Sequence, residues 1–328
     1  ERELFGSTDG QGKFLLSANQ SSGLTIAGPN TENLMDARDH GLKYLGYRTY
    51  GSRKFFKPGG RFTVALELRK RKNLKATDED REFLKNSLIA LGLFGGAGSR
   101  SRRGFGSLTL TNLEIGGEQV WKRPTSIGDL EKCIRTFISE LNIAKGSREA
   151  KLPPYTSFSE LTKISIIESE ENESILEFLN RIGEKFREHR KEVGDKNGDV
   201  ILIKRFLKGD RINNHPSRAV FGLPHNYFLK NIKKSATVEP SGSENKRRAS
   251  PLLIHIHALN KDRFAAVLTL LPAVFLPNDK KITVREIVSK KKMKVLDDKY
   301  EIKKEKVDQK VEFELIEDFL NKLEVVWP

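Results

Sequence analysis

The sequence predicts an α+β protein built on antiparallel sheets, and three observations support this. Residues 13–115 follow the order strand, strand, helix, glycine-rich loop, strand. Two apolar runs, 252–259 and 264–271, are separated only by polar turn residues, which is typical of a β-hairpin. With 37% hydrophobic residues in 328, the chain is also long enough to bury a substantial core.

The first elements are predicted from periodicity and capping. The runs 13–18 and 61–68 read as strands, and the second alternates apolar and smaller or polar residues, so the two can pair in one antiparallel sheet. A helix is predicted over 78–94, with Thr77 as N-cap and Asp80 three residues later.

Together with the elements that follow, they match part of a known supersecondary unit. A strand is predicted over 105–115, after the glycine-rich loop. The order is that of the second part of a ferredoxin-like β-α-β-β-α-β unit without its first strand and helix. Because the chain opens at Glu1 without a methionine, on a run that reads as structured, we expect N-terminal residues to be missing.

A break between two domains is predicted near Pro153 and Pro154, giving domains 1–150 and 151–328. The last element before the break is a helix over 127–143 behind a Ser126 cap. The elements predicted after it are a strand at 161–168, a helix at 175–193, a basic, turn-rich region reaching Arg248 with a flexible loop at 233–245, the hairpin, and a closing helix at 311–323.

Composition narrows the function classes. Lys and Arg number 59 against 44 Asp and Glu, a formal charge of +15, which favours polyanionic partners and nucleic acid above all. No run approaches the roughly 18 apolar residues of a membrane-spanning helix, so no membrane partner is predicted. The single cysteine, Cys133, cannot form an intrachain disulfide, and no secretion signal opens the chain, so we expect a cytoplasmic protein.

The glycine-rich segment 95–106 is the most informative stretch. Glycines let a backbone approach a phosphate closely, while arginines and hydroxyls add hydrogen bonds to phosphate oxygens. The segment is therefore a predicted RNA-backbone site. Its candidate residues are Gly95, Gly96, Gly98, Ser99, Arg100, Ser101, Arg102, Arg103, Gly104 and Phe105.

Other glycine motifs fit this segment poorly. Ser101 stands where a dinucleotide fingerprint needs its third glycine, and the loop follows a helix rather than a strand. No glycine cluster ends in a Walker lysine, so no nucleotide cofactor, and no cofactor of any kind, is predicted. The run from Arg103 to Gly106 opens like an RNA-recognition motif, but Ser107 and Leu110 replace its later aromatics.

A second basic patch is predicted further along the chain, where its charge could line an RNA groove. Charges scattered over helices and loops more often serve solubility, which is the competing interpretation. The candidate RNA-binding residues of this patch are Lys204, Arg205, Arg218, Arg247 and Arg248.

The segment LFGGAGSRSRRGFGSL after a helix resembles the glycine-rich loop of RAMP proteins, the RNA binders of CRISPR systems. LFGSTDGQGKF, AVFGLP, RRASPLLIHIHAL and AVLTLLPAVFLP narrow the resemblance to the RAMP subunit numbered first in Cmr (type III-B) complexes. The family's usual segment ELRPPSIKGALRFWWRA is absent, so its RNA contacts are not assigned.

The resemblance implies two ferredoxin-like (RRM-like) domains with antiparallel sheets. It also implies a place near the end of the complex that holds the 3′ part of the guide, with contacts to guide RNA, single-stranded target RNA and other Cmr subunits. Cleavage would belong to those other subunits, so the preferred hypothesis is a non-catalytic RNA-binding subunit.

Two alternatives stay open. A RAMP-type, metal-independent endoribonuclease acting on guide precursor would need a general base, for which His215 is the best candidate. An RNA binder of recognition-motif type could also work outside any CRISPR complex. No catalytic residue and no metal site is predicted, since one cysteine argues against zinc and His255 and His257 merely share a strand face.

Overall fold

The structure is a computed structural model. It describes residues 6–8, 10–28, 40–47, 49, 53–68, 77–141, 143, 151–242, 247–288, 303–308, 310–323 and 325–327.

Among the described residues, the N-terminal part forms a long two-stranded ribbon, several short strands and three helices. In the ribbon the predicted strands pair antiparallel, with Phe14 opposite Leu68. The elements are β1 Gly6–Ser7, β2 Gly10–Gln11, β3 Phe14–Ser22, β4 Ile26–Ala27, α1 His40–Leu45, β5 Phe55–Phe56, β6 Arg61–Leu68, α2 Asp78–Phe94, β7 Asn112–Ile115, β8 Glu118–Lys122 and α3 Ile127–Glu140.

Local sequence explains the ends of the N-terminal helices. The Thr77 hydroxyl accepts from the Asp80 amide at 3.1 Å while the Asp80 carboxylate accepts from the Thr77 amide at 2.9 Å, so α2 begins in the predicted capping box. Helix α3 begins behind Ser126, as predicted, and ends at Glu140. The predicted strand 105–115 is wrong in its first half, because only Asn112–Ile115 is a strand.

The C-terminal part contains two four-stranded antiparallel sheets. The first has the order β12-β13-β9-β16 and the second the order β10-β11-β14-β15. The elements are β9 Lys163–Glu168, α4 Ile175–Lys196, α5 Asp199–Lys208, β10 His225–Leu229, β11 Lys234–Pro240, β12 Leu252–Ala258, β13 Phe264–Leu270, β14 Ile282–Ile287, β15 Lys304–Val307, α6 Glu314–Asn321 and β16 Val325–Trp327, with 3₁₀ turns at Ser217–Phe221 and Lys230–Ile232.

The hairpin prediction is confirmed by β12 and β13, where Leu252 lies opposite Leu270. The predicted flexible loop at 233–245 is wrong over 234–240, because β11 is an inner strand of the second sheet. Residues 243–245 of that prediction lie outside the described residues. The prediction of turns in this region is also wrong for α5 and β10. Helix α5 is amphipathic, with Ile203, Phe206 and Leu207 buried on one face.

The first sheet is buried on both faces. Ile254 and Leu268 point into a large core with α4 and α6, while Ile164 and Val267 point into a second core with α2 and α3. This explains why its strands are apolar over their whole length. The second core draws on residues from both sides of the predicted boundary at residue 150.

Candidate nucleic-acid interface

The glycine-rich loop is a closed loop with a narrow neck directly after α2. The Ala97 amide donates to the Gly106 carbonyl at 2.8 Å, and Gly96 forms a β-bridge with Ser107. A Cβ on Gly96 would lie 2.7 Å from the Gly106 oxygen, so the two strands of the neck approach as closely as glycine permits.

The inner half of the loop, 102–107, docks on the edge of the first sheet. The Gly104 amide donates to the Ile254 carbonyl at 2.9 Å, and the Ile254 amide donates to the Arg102 carbonyl at 3.1 Å. Further along β12, the Ile256 amide donates to the Ser107 hydroxyl at 3.0 Å. Backbone pairing with β12 thus replaces the strand that sequence predicted here.

Two side chains of the inner half serve this docking. Arg102 is half-buried and donates to the Ser250 carbonyl at 2.9 Å, and desolvation lowers its pKa. Phe105, predicted as a base-stacking aromatic, packs against the large core instead. Neither side chain is presented to a ligand in this conformation, because each is already engaged in packing the loop on the sheet.

Arg103 points inward as well. Its guanidinium lies 4.9 Å from the centroid of the Phe186 ring and 3.4 Å from the Phe221 carbonyl, a long hydrogen bond. Desolvation lowers the pKa of Arg103 to about 9, and the nearby charge of Arg190 adds to this effect. Arg103 is therefore still a cation at neutral pH, in poorly hydrated surroundings.

The tip of the loop, 97–100, is exposed. Gly98 has φ +88°, and no atom lies within 4 Å of the position a Cβ would take. The Ser99 hydroxyl accepts from the Arg53 guanidinium at 2.7 Å, and the Arg100 guanidinium donates to the Tyr47 carbonyl. The tip therefore presents backbone and hydroxyl groups to solvent beside two cations.

Three arginines, Arg53, Arg100 and Arg247, form what we call the tip cluster. All three are exposed. Desolvation lowers the pKa of Arg100, and the positive charges of Arg247 and Arg53 lower it further, so both lie within electrostatic range of Arg100. A cluster of like charges at the surface attracts a polyanion by releasing its counterions.

Comparison with known proteins agrees with this architecture. The sequence model of the RAMP superfamily matches residues 1–109. The N-terminal third of the chain is RAMP-like. A search of curated protein sequences gives no match.

The fold resembles the apo crystal structure of Cmr1 from Pyrococcus furiosus. The TM-score is 0.52 at 16% sequence identity, over 99% of this chain and 81% of that one. The resemblance to RAMP proteins, and among them to this Cmr subunit, is confirmed. So is the mixed helical and antiparallel character of the fold.

The second predicted patch does not form one surface array of free cations. Lys204 and Arg205 are exposed on α5, where Arg205 pairs with Asp210 at 3.1 Å. Arg218 is bound to buried Asp199 at 2.9 Å. Arg248 donates to the Thr156 hydroxyl at 3.3 Å, and its backbone bridges to Leu223.

The predicted acid-base residue, His215, has no free ring nitrogen in the structure. Both ring nitrogens of His215 face carbonyl oxygens, Pro216 at 3.0 Å and Lys310 at 2.7 Å. His255 and His257 are fully buried on β12. Within the ranges that the structure describes, no group of three or more His, Cys, Asp or Glu residues could hold a metal ion, and no helix is long and apolar enough to span a membrane.

Sequence reasoning missed two arginines. Arg53 lies between short strands, with no motif to mark it. Arg190 lies on α4 four residues after Phe186 and eight after Ile182, both fully buried, so the signal that could have found it is a cation on the apolar stripe of an amphipathic helix.

Proposed function

We propose that the chain is a non-catalytic, RNA-binding subunit of a type III-B (Cmr) CRISPR effector complex, acting in the cytoplasm. The single observation that carries the proposal is the combination of a RAMP match over residues 1–109 with a Cmr1-like fold over 99% of the chain. The partners would be guide RNA, single-stranded target RNA and the other subunits of the complex.

The strand order supports the finer assignment of two ferredoxin-like domains. In chain order, the C-terminal part contains β9, α4, β12, β13, α6 and β16, with further elements inserted after α4 and after β13. Across the sheet, β16 lies beside β9, and β13 lies between β9 and β12. This is the split β-α-β-β-α-β arrangement. The N-terminal part would form the second such domain.

The tip cluster supports RNA binding through the sugar-phosphate backbone. Arg53, Arg100 and Arg247 surround an exposed glycine and hydroxyl surface, whose chemistry suits phosphate oxygens. Such contacts hold RNA of any sequence, so base pairing between guide and target would supply sequence recognition. We assign the contact to the 3′ region of the guide and to the target.

A structural role without catalysis agrees with the placement of the histidines. A general base needs a free ring nitrogen within reach of the ribose hydroxyl. Both nitrogens of His215, the predicted nuclease candidate, face carbonyl oxygens. His215 would have to leave these contacts before it could accept a proton.

The test is a binding titration of the full chain with labelled guide RNA and an unrelated single strand at several salt concentrations. The double variant Arg100→Gln/Arg247→Gln should weaken binding to both strands alike and lower the slope of log affinity against log salt by about one per lost contact. Lys185→Gln, which removes an exposed cation on α4, is the matched control.

Product analysis of the same reactions tests the absence of catalysis. Intact RNA at every time point is expected. Shortened products that persist in EDTA and disappear in His215→Ala would establish the nuclease instead. Co-expression with the other Cmr subunits should yield a complex that contains this chain, whereas purification without them would indicate an independent RNA binder.

A further inference from the structure

Arg190 of α4 is a charged side chain in an aromatic interior. Its guanidinium carbon lies 4.9 Å from the Phe221 ring centroid, 5.6 Å from that of Tyr44 and 5.7 Å from that of Phe186. The side chain is half-buried overall, but its Nε is buried without a hydrogen-bond partner. Desolvation lowers the pKa of Arg190, and a hydrogen bond with Tyr44 opposes this.

Arg103 of the glycine loop shares the same ring. Its guanidinium carbon lies 4.9 Å from the Phe186 centroid, so the two cations lie close together on one aromatic side chain. Stacking on aromatic rings offsets part of the cost of desolvating a guanidinium. It does not remove the repulsion between two neighbouring cations.

The local charge is not balanced by acidic groups. Asp199, the buried carboxylate bound to Arg218, is saturated, because it also accepts from the Ser217 amide at 2.7 Å and from the Tyr227 hydroxyl at 3.1 Å. Among the described residues, no ion pair joins a carboxylate to Arg103 or Arg190. Two partly desolvated cations without counter-charges are costly in any fold.

His225 is a third side chain in this region with an unpaired polar atom. It stacks at 4.6 Å on Tyr227, and its Nδ1 is buried without a partner. Desolvation and the nearby charges of Arg190 and Arg218 hold the pKa of His225 well below its usual range. His225 is therefore neutral at pH 7 and can present one N–H to an acceptor.

The walls of this region are held firmly. The Asn180 side chain of α4 accepts from the Gly41 and Leu42 amides at 2.9 and 3.0 Å, which fixes α1 and its Tyr44 against α4. On the other side, the pairing of Gly104 with Ile254 fixes Arg103. The donors are thus preorganised before any ligand arrives.

We propose that this region, between the inner half of the glycine loop and α4, binds a phosphate group through Arg103 and Arg190, with His225 as a further donor. A phosphate monoester or free phosphate carries a charge of about −1.5 to −2 at neutral pH, which matches two uncompensated arginines. Each guanidinium can offer a planar pair of N–H donors to its oxygens.

An internal phosphodiester fits this region less well than a terminal phosphate. It carries a single negative charge and would have to bring a sugar on each side past the rings of Phe186, Phe221 and Tyr44. The Arg103 side chain is within electrostatic range of Arg100 at the exposed tip. A strand held by the tip cluster could therefore end with its terminal phosphate here, a step that rests on the proposed RNA-binding function.

The experiment is a titration of the full chain with inorganic phosphate. Binding is measured by calorimetry and by thermal unfolding, at constant ionic strength in chloride. Saturable binding with a rise in Tm is expected. Arg190→Met, which keeps length without charge, should weaken phosphate binding at least tenfold, while Lys185→Met, which removes an exposed cation on α4, should change it less than threefold. If Arg190→Met does not fold, Arg190→Lys keeps the charge without the planar fork and should still lose several-fold.

A second arm separates the two sources of phosphate. Oligoribonucleotides with phosphorylated and with hydroxyl ends are compared on the wild-type chain and on Arg190→Met. Tighter binding of phosphorylated ends, lost in Arg190→Met, identifies the strand terminus as the ligand; saturable phosphate binding without an end preference identifies the free anion.

No saturable phosphate binding to the wild-type chain, or equal binding by the wild-type chain and an Arg190 variant that folds, overturns the proposal. The proposed RNA-binding function is judged separately, by the tip-cluster variants. Loss of RNA binding in those variants with retained phosphate binding would show that the two sites are independent.

Discussion

The two halves of the glycine-rich loop both contain glycine, serine and arginine, but their side chains lie in different surroundings. The tip, 97–100, is exposed and presents Ser99 and Arg100 beside Arg53. The inner half, 102–107, is bound along β12 and directs its two arginines into the protein. Arginine and glycine content alone therefore does not identify an RNA contact; the backbone pairing of each residue decides whether its side chain is free.

The two halves of the loop therefore have different roles, although a single sequence motif contains both. The inner half joins the N-terminal part to the first C-terminal sheet, and the tip remains open to a polyanion. Changes of pH and paired substitutions, one in each half, can test this division. Their expected effects decrease from several kcal/mol for acid to a few tenths for an exposed hydroxyl.

Acid should weaken the contact beneath the loop more than any single substitution. The His255 Nδ1 lies 2.6 Å from the Gly95 carbonyl at the start of the loop. Burial lowers the pKa of His255 to about 3 and that of His257 to about 4. The unfolded chain, with pKa near 6.5, therefore binds more protons, and the free energy of unfolding should fall by roughly 6 kcal/mol from pH 7 to pH 4.

Chemical denaturation at a series of pH values measures this effect. Stability should be nearly constant above pH 7 with respect to these groups. The double variant His255→Asn/His257→Asn should flatten the slope, though not completely, because burial also lowers the pKa values of His189 and His225. The exposed His40→Asn should leave the slope unchanged, and an equal slope in all three proteins would contradict the prediction.

The neck and the tip should respond differently to an added methyl group. Gly106 has φ +64°, and a Cβ there would lie 2.0 Å from the Ala97 carbonyl oxygen, so Gly106→Ala should cost roughly 3 kcal/mol or more. Gly98 also has positive φ but open space around it, so Gly98→Ala should cost only about 1 kcal/mol. Urea unfolding of both variants measures the difference, and equal losses would show that the neck is not closed.

Removing one arginine from each half should separate stability from binding. Arg102→Met deletes the contact with the Ser250 carbonyl and should lower the free energy of unfolding by about 1 to 2 kcal/mol. Arg100→Met, at the exposed tip, should change stability by less than about 0.5 kcal/mol and weaken RNA binding instead. Unfolding and RNA titration are both measured on each variant. If the two variants changed stability and RNA binding in the same way, the division between the two halves would be contradicted.

The smallest effect is expected from the hydroxyls. The Ser107 hydroxyl accepts from the Ile256 amide, so Ser107→Ala leaves a part-buried donor unpaired and should cost about 1 kcal/mol. Ser99→Ala, at the exposed tip, should be neutral within a few tenths of a kcal/mol. Hydrogen exchange at the Ile256 amide gives a local readout, and unchanged protection in Ser107→Ala would argue against this contact.

Much of the fold was predictable because its signals are local. Thr77 and Asp80 define the start of α2, alternation defines β6, and the apolar runs around 260–262 define the hairpin. The strand predicted over 105–115 is wrong over 105–111. The alternation there lies in a loop that pairs with β12, a strand about 150 residues away. The inner strand β11 was missed because its Thr and Glu side chains are buried by neighbouring strands, which no local pattern records.

The candidate site was also predictable only in part. The sequence by itself determined the charge excess, the glycine loop, the caps and the RAMP resemblance, since these depend on residue type and short spacing. Only the tertiary structure decided that Arg102 and Arg103 turn inward while Arg100 joins Arg53 and Arg247 at the surface. The physical reason is that edge-strand pairing and desolvation act between segments distant in sequence, whereas capping and periodicity act within one turn or one strand.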